Sequence, residues 1–348
     1  MESVTKFAAL NTKIRVLERE LLTDEDYLNL MHMKSVEESI NYFLEKTYYS
    51  ESLENLDAKN LSSIENLFYN NLLEKYDKIT SFLHIDYRKI FKKIFMRYEV
   101  EHIKEYLRNL NQNKSVELLY KNFEKAKYSN LDYKSLSTST SVEEFVEKLK
   151  GTEYYKILNY HLTSSNRLFY MEMSLDIHYF NKLNSEMKKH FGQSKRNTIL
   201  EVLQKNSDLL NIQWIYRGKK YYDFSPEELL NYVLLTGYYF KYKDLKSLCY
   251  AKDNQELINK LKNSKYGFLF SDEENFEFLM ERNVERYIYR LFKDLEKVSQ
   301  FSINKSIGYM HKLEYEMRDI FTILESINYG LEIKDIKNKL VREFKGGQ

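Results

Sequence analysis

One proline, Pro226, serves a chain of 348 residues, and glycine occurs only nine times. Average usage is about 5% for proline and about 7% for glycine. Tight hairpins and Gly-rich phosphate loops depend on these residues: glycine enters the left-handed region without a Cβ clash, and proline presets a turn. Their shortage argues against all-β folds, Rossmann folds and P-loop NTPases. What remains is an all-α protein, long enough for about two to three domains.

Charge narrows the partners. Lys and Arg total 54 against 52 Asp and Glu, a formal +2 on a chain that is 30% charged. A dedicated duplex-DNA binder carries a larger basic excess, so no nucleic-acid partner is expected. A single cysteine, Cys249, excludes an internal disulfide framework and suits a reducing compartment. The best apolar run, Tyr232–Phe240, is half the length needed to span a bilayer. The amino terminus carries Glu2 and no apolar signal region, so a soluble, cytoplasmic protein is expected. The 31 tyrosines suit helix cores and groove edges, with hydroxyls at water.

Comparison of the chain with itself reveals an internal repeat. Ser35-Val-Glu-Glu38, Ser141-Val-Glu-Glu144 and Asp253-Asn-Gln-Glu256 share the chemistry of a capping box, at offsets of 106 and 112 residues. Downstream, Ile40/Val146/Ile258, Phe43/Leu149/Leu261 and Tyr48/Tyr154/Tyr266 coincide. In a second block Glu65, Glu172 and Glu281 are each followed at +3, +7, +8 and +11 by large apolar or aromatic residues, the spacing of one buried helix stripe. A third block sets Glu99-x-x-His102-Ile103 beside Asp208-x-x-Asn211-Ile212 and Glu316-x-x-Asp319-Ile320, with Arg108, Arg217 and Glu325 five positions after the isoleucine. Three blocks in one order at one near-constant offset give a threefold repeat of about 108 residues. Solenoid units run at about 20–50 residues, so each unit here is a small helical domain. The expected divisions are 1–111, 112–224 and 225–348. Ser225-Pro226-Glu227-Glu228 places an N-cap, proline at N1 and Glu at N3 at a helix start. Asn109–Lys114 and Ser135–Ser141 read as polar connectors, and Lys345–Gln348 as a fraying end.

No catalytic constellation stands out. None of the seven histidines forms HxH or HExxH, and Glu99-x-x-His102 is one half of a di-iron motif whose second half is missing. Arg217-Gly218-Lys219-Lys220 lacks the upstream glycine of a P-loop. Cys249 has no histidine nearby in sequence and reads as a buried neutral thiol. Glu99, Asp208 and Glu316 read as structural acids in interhelical or i,i+4 pairs rather than as functional groups. Tyr216–Tyr222 has the residues to stack single-stranded nucleic acid, but as an isolated patch it reads as a solvated helix end and turn. Catalytic, cofactor-binding and metal-ligating residues are all expected to be absent.

Three segments together carry a resemblance. They are Ala9–Leu30, Asp208-Leu-Leu-Asn211-Ile-Gln-Trp214-Ile-Tyr-Arg217, and Glu314-Tyr-Glu316-Met-Arg-Asp319-Ile320 running on to Gly330-Leu331. Over essentially its whole length the chain resembles the C-subunit family of bacterial and archaeal V/A-type ATPases, whose eukaryotic counterpart is the d subunit of the V-ATPase. His102 departs from the family pattern, where Asn or Asp is commoner. The resemblance implies a funnel of three similar helical domains around a pseudo-threefold axis. It implies a non-catalytic central-stalk subunit of a bacterial rotary ATPase or ATP synthase, peripheral on the inner face of the plasma membrane. There it is a socket between the D and F subunits of the shaft and the cytoplasmic loops of the membrane rotor ring (c/K subunits), linking ATP turnover to H⁺ or Na⁺ transport. The isolated chain is expected to be a monomer with no cofactor. The alternative is a helical scaffold or regulatory protein with unrelated partners.

Overall fold

The computed structural model describes residues 2–50, 61–116, 129–191, 198–272, 275–298 and 302–344. The described residues form α-helices and one short 3₁₀ helix, and no strand occurs among them. In chain order the helices are α1 (Glu2–Glu18), α2 (Asp24–Met31), α3 (Val36–Lys46), α4 (Leu61–Phe82), α5 (Ile85–Asn111), α6 (Tyr133–Ser137), α7 (Val142–Lys148) and α8 (Glu153–Tyr160). Next come α9 (Arg167–Phe191), α10 (Thr198–Tyr221), α11 (Pro226–Asn231), α12 (Tyr242–Cys249), α13 (Asn254–Lys262), the 3₁₀ helix Gly267–Phe270, α14 (Phe276–Val298), α15 (Asn304–Asn328) and α16 (Ile333–Lys339). Long helices thus alternate with clusters of short ones. Two compact units result, one from Met1–Arg88 with Glu277–Gln348, the other from Lys89–Phe276.

In the first unit α15 packs against α1, α2, α3, α4 and α16. It is buried nearly all round, from Ile307 and Met310 through Leu313 and Met317 to Ile323 and Leu324. The α4 stripe Ile64, Phe68, Leu72, Tyr76 is buried at four-residue spacing. Phe68 meets the rings of Phe43 and Phe321 edge-on, each at 5.7 Å. Burying one such side chain stabilises by about 1.5–3 kcal/mol. In the second unit α9 packs on α8 and α10, and α10 on α11, α12 and α13. Tyr106 stacks on Phe145 at 5.2 Å. Of the twelve apolar positions in the Glu65/Glu172/Glu281 stripes, all but Tyr289 are buried.

The three repeated caps all start helices. Ser35 Oγ accepts from Glu38 N at 3.1 Å, Ser141 Oγ from Glu144 N at 3.1 Å, and Asp253 Oδ1 from Glu256 N at 2.8 Å. Their return bond differs from the expected capping box. Glu38, Glu144 and Glu256 accept from the N–H of the residue before the cap, Lys34, Thr140 and Lys252, at 2.7–2.9 Å. Ser225-Pro226-Glu227-Glu228 does close on its own cap N–H, at 2.9 Å, with Pro226 at the helix start.

Both expected connectors are partly helical. α5 runs on through Asn111 before Asn113 turns the chain at φ 56°. Residues 133–137 form α6 because the Asp132 carboxylate caps Ser135 N at 3.0 Å. The expected fraying end, 345–348, lies outside the described residues.

Candidate functional site

The repeated acids of α5, α10 and α15 are buried, and each is held in the same way. Glu99 Oε1 accepts the Tyr154 hydroxyl at 2.5 Å. Asp208 Oδ2 accepts the Tyr266 hydroxyl at 2.9 Å. Glu316 Oε1 accepts the Tyr49 hydroxyl at 2.8 Å. In every case the tyrosine comes after the helix whose cap recurs, α7, α13 or α3. A short-helix cluster is therefore pinned to a long helix by one hydroxyl–carboxylate bond. Backbone donors strengthen two of the anchors. Glu316 Oε2 accepts Leu22 N at 2.8 Å, and Asp208 accepts Tyr238, Tyr239 and Phe240 N at 2.8–3.3 Å. Gly237 makes the last arrangement possible, because a Cβ there would collide with Asp208 Oδ1. Of the interhelical or i,i+4 pairs expected from sequence, these acids make contacts between elements rather than i,i+4 ion pairs; their partners are hydroxyl and N–H groups far along the chain.

Burial dominates the electrostatics. It raises the Glu99 and Asp208 carboxyls, against the opposing pull of their hydrogen bonds. It pushes Glu316 up to about 7, while the Tyr49 and Leu22 donors pull the other way. An anchored carboxylate of this kind acts as an acceptor that fixes two segments of chain; its lone pairs are already spent on fixed donors.

The residue one turn on repeats the function. Asn211 accepts Leu234 N at 2.7 Å and donates to Leu234 O at 2.9 Å. Asp319 accepts Val341 N at 2.7 Å and Arg342 N at 2.9 Å, and burial lifts its carboxyl to about 6. Each brings back a segment 22 or 23 residues later to cover its own helix. His102, in the third such position, is buried beside the Tyr133 ring at 5.8 Å, and burial lowers its pKa well below the usual imidazole value. Arg108 joins Glu172 through two bonds of 2.6 and 3.1 Å, linking residues of two repeated blocks.

The remaining sequence candidates are dispersed. Cys249 is buried, and burial pushes its thiol up to about 12. Tyr216–Tyr221 continues α10, with Tyr216 buried and Lys219 Nζ donating to Ala251 O at 2.7 Å. Among the described residues no group of three or more His, Cys, Asp or Glu side chains is placed to hold a metal ion. A cleft of about 450 Å³ in the first unit reaches Glu316 and Asp319. Most of its charges are paired within it: Lys312 bonds Glu18 at 3.0 Å and Glu296 at 2.5 Å, and Arg342 bonds Asp24 at 2.7 Å. A larger trough, of about 690 Å³, lies between α8 and α9. Neither the trough nor the pairing of the acids with tyrosines is evident from sequence. The Tyr154 and Tyr266 repeat is the one sequence signal of the anchors.

No described helix is long and apolar enough to cross a membrane. The profile of the ATP synthase (C/AC39) subunit family matches residues 10–339. The chain is 25% identical over 344 residues to the C subunit of the A-type ATP synthase of Methanosarcina mazei, covering 97% of this chain and 93% of that one. The protein of the same description from Methanocaldococcus jannaschii is 25% identical, with coverages of 96% and 86%. That from Pyrococcus horikoshii is also 25% identical, with coverages of 96% and 90%. With a match that runs from α1 to the end of α16, this chain belongs to the ATP synthase (C/AC39) subunit family.

Proposed function

We propose that the chain is the non-catalytic central-stalk subunit of a rotary V/A-type ATPase or ATP synthase. In this reading it is a socket that joins the D/F shaft to the cytoplasmic loops of the membrane rotor ring. Its three similar helical domains, 1–111, 112–224 and 225–348, form the walls of a funnel around a pseudo-threefold axis. It works on the inner face of the plasma membrane without spanning it, and links ATP turnover to H⁺ or Na⁺ movement. The family match over residues 10–339 carries the reading. The thrice-repeated carboxylate anchor supports it physically, because a part that transmits torque needs braces between its helices that resist shear. Buried hydroxyl–carboxylate bonds, short and directional, are suited to that load.

The test is direct association. Purified chain mixed with the D and F subunits of the shaft should elute from a sizing column as one stoichiometric complex. That complex should weaken as salt screens contacts over about 8–10 Å. Separate elution at low salt and micromolar concentrations overturns the socket reading.

A further inference from the structure

Much of the polar lining of the trough between α8 and α9 is unspent, whereas most charges of the first-unit cleft are paired. Lys156, Tyr160, Asn181, Ser185, Asn231 and Tyr232 face it. Among the described residues Lys156 has no ion-pair partner. Other polar groups at the rim are arranged around one acid: Glu153 bonds His178 at 2.7 Å and also Lys182. Along α9 the exposed face continues from Asn181 and Lys182 through Ser185 to Lys188 and Lys189. Glu186 there is shared between Lys89 and Lys189, each at 3.5 Å. The surface therefore has more cations than acids, on a chain whose total is nearly balanced.

Aromatic rings form the other half of the surface. Tyr160 is 79% exposed and meets His161 edge-on at 4.9 Å. His161 stacks on Tyr170 at 5.7 Å, and Tyr170 stacks on Phe224 at 5.2 Å. Tyr232 packs beside Tyr170 at 5.2 Å. The His161 ring is fixed by Ser174 Oγ at 2.9 Å. Tyr232 is thus backed by the cluster, while Tyr160 stands out from its edge into solvent. An exposed tyrosine and a half-buried one beside a basic rim are the composition of a protein–protein contact.

We propose that this trough is a docking site for an acidic amphipathic helix of a partner protein. The partner's apolar side chains would lie on Tyr160 and Tyr232, and its carboxylates would reach Lys156 and the Lys182–Lys189 face. A groove between two helices takes a third by its apolar stripe, and charge complementarity sets which helix is accepted. Glu153 and Glu186 within the same surface disfavour a polyanion such as nucleic acid, whose phosphates repeat without regard to them. The proposal stands whether or not the chain is a socket for the shaft.

Two measurements on the full chain test it. A fluorescent synthetic helix of Glu and Leu in amphipathic register should bind, and the same helix with Lys for Glu should not. Lys156→Glu should weaken binding about tenfold or more, Tyr160→Ala should weaken it several-fold, and the exposed Lys265→Glu should leave it unchanged. Equal binding of the two peptides, indifference to both trough substitutions, or no binding at millimolar peptide overturns the proposal. A photoreactive benzoylphenylalanine in place of Tyr160, in the chain as it assembles in cells, should crosslink to an Asp/Glu-rich helical segment of another protein. Crosslinks only to lipid, to nucleic acid, to a basic segment or to nothing also overturn it. A retained melting temperature in each variant separates lost docking from lost folding.

Discussion

Glu316 shows how much a single buried carboxyl governs. Burial raises its folded pKa to about 7 from an ordinary 4.5, so the folded state binds this proton more tightly than the unfolded chain does. Its contribution is fully present below pH 4.5 and is lost as pH rises through about 7. From the shift, at about 1.4 kcal/mol per pH unit, the loss is at most about 3–4 kcal/mol. The melting temperature should therefore fall between pH 5 and pH 8, and the fall should shrink in Glu316→Gln, which cannot ionise. A wild-type melting temperature that is flat or rising over that range contradicts the assignment. The tyrosines make a second residue-level prediction. Tyr49→Phe, Tyr154→Phe or Tyr266→Phe removes the hydroxyl and leaves a buried acceptor short of a donor, at about 1–3 kcal/mol each by denaturant unfolding. The same change at the exposed Tyr48 should cost nothing measurable.

That pair, Tyr48 and Tyr49, also separates what is legible in sequence from what is not at the level of elements. Caps are local: a small oxygen at N-cap and Glu at N3 appear as four consecutive letters, and Ser35, Ser141 and Asp253 all start helices in the structure. The apolar stripes are equally legible, because helical periodicity alone selects the buried face. The first tyrosine of the repeat is Tyr49, one residue beyond the expected Tyr48. Tyr49 lies 14 residues beyond its cap Ser35, whereas Tyr154 and Tyr266 each lie 13 beyond Ser141 and Asp253, so the first repeat carries one extra residue between the cap and the anchor. Tyr48 is consequently 67% exposed, and Tyr49, 4% exposed, reaches the acid. The partners of Glu99, Asp208 and Glu316 are hidden for a different reason. They lie 55, 58 and 267 residues away, and no local rule reports such distances. Elements also have their own prediction. Ser35→Ala, Ser141→Ala and Asp253→Ala should each cost about 0.5–2 kcal/mol. Because Ser35 and Ser141 belong to different compact units, the costs of those two should add within about 0.5 kcal/mol. A cost at one of the three sites only would mean that the repeated caps do not share a structural role.

For the whole molecule, the proposed function makes a demand that no single anchor can meet. A coupling part must be stiff within its domains, or torque from the head is dissipated in bending helices before it reaches the ring. The anchors supply stiffness where long helices meet short ones, and the α1–α15 region adds a half-buried ion network of Lys312 with Glu18 and Glu296. None of these groups needs to take part in chemistry, so the ATPase head should remain competent without the subunit. In a reconstituted rotary complex lacking this chain, ATP hydrolysis by the head should persist while ion transport across vesicles stops. Adding back the wild-type chain should restore transport. Adding back Gly237→Ala should not restore it fully: a methyl group there pushes into Asp208 and the Tyr238–Phe240 backbone that wraps it, which loosens one anchor at its buried end. Undiminished ion transport per ATP in the complex without the chain would remove the coupling role. Full rescue by a destabilised Gly237→Ala chain would show that the anchors hold the fold but do not bear the load.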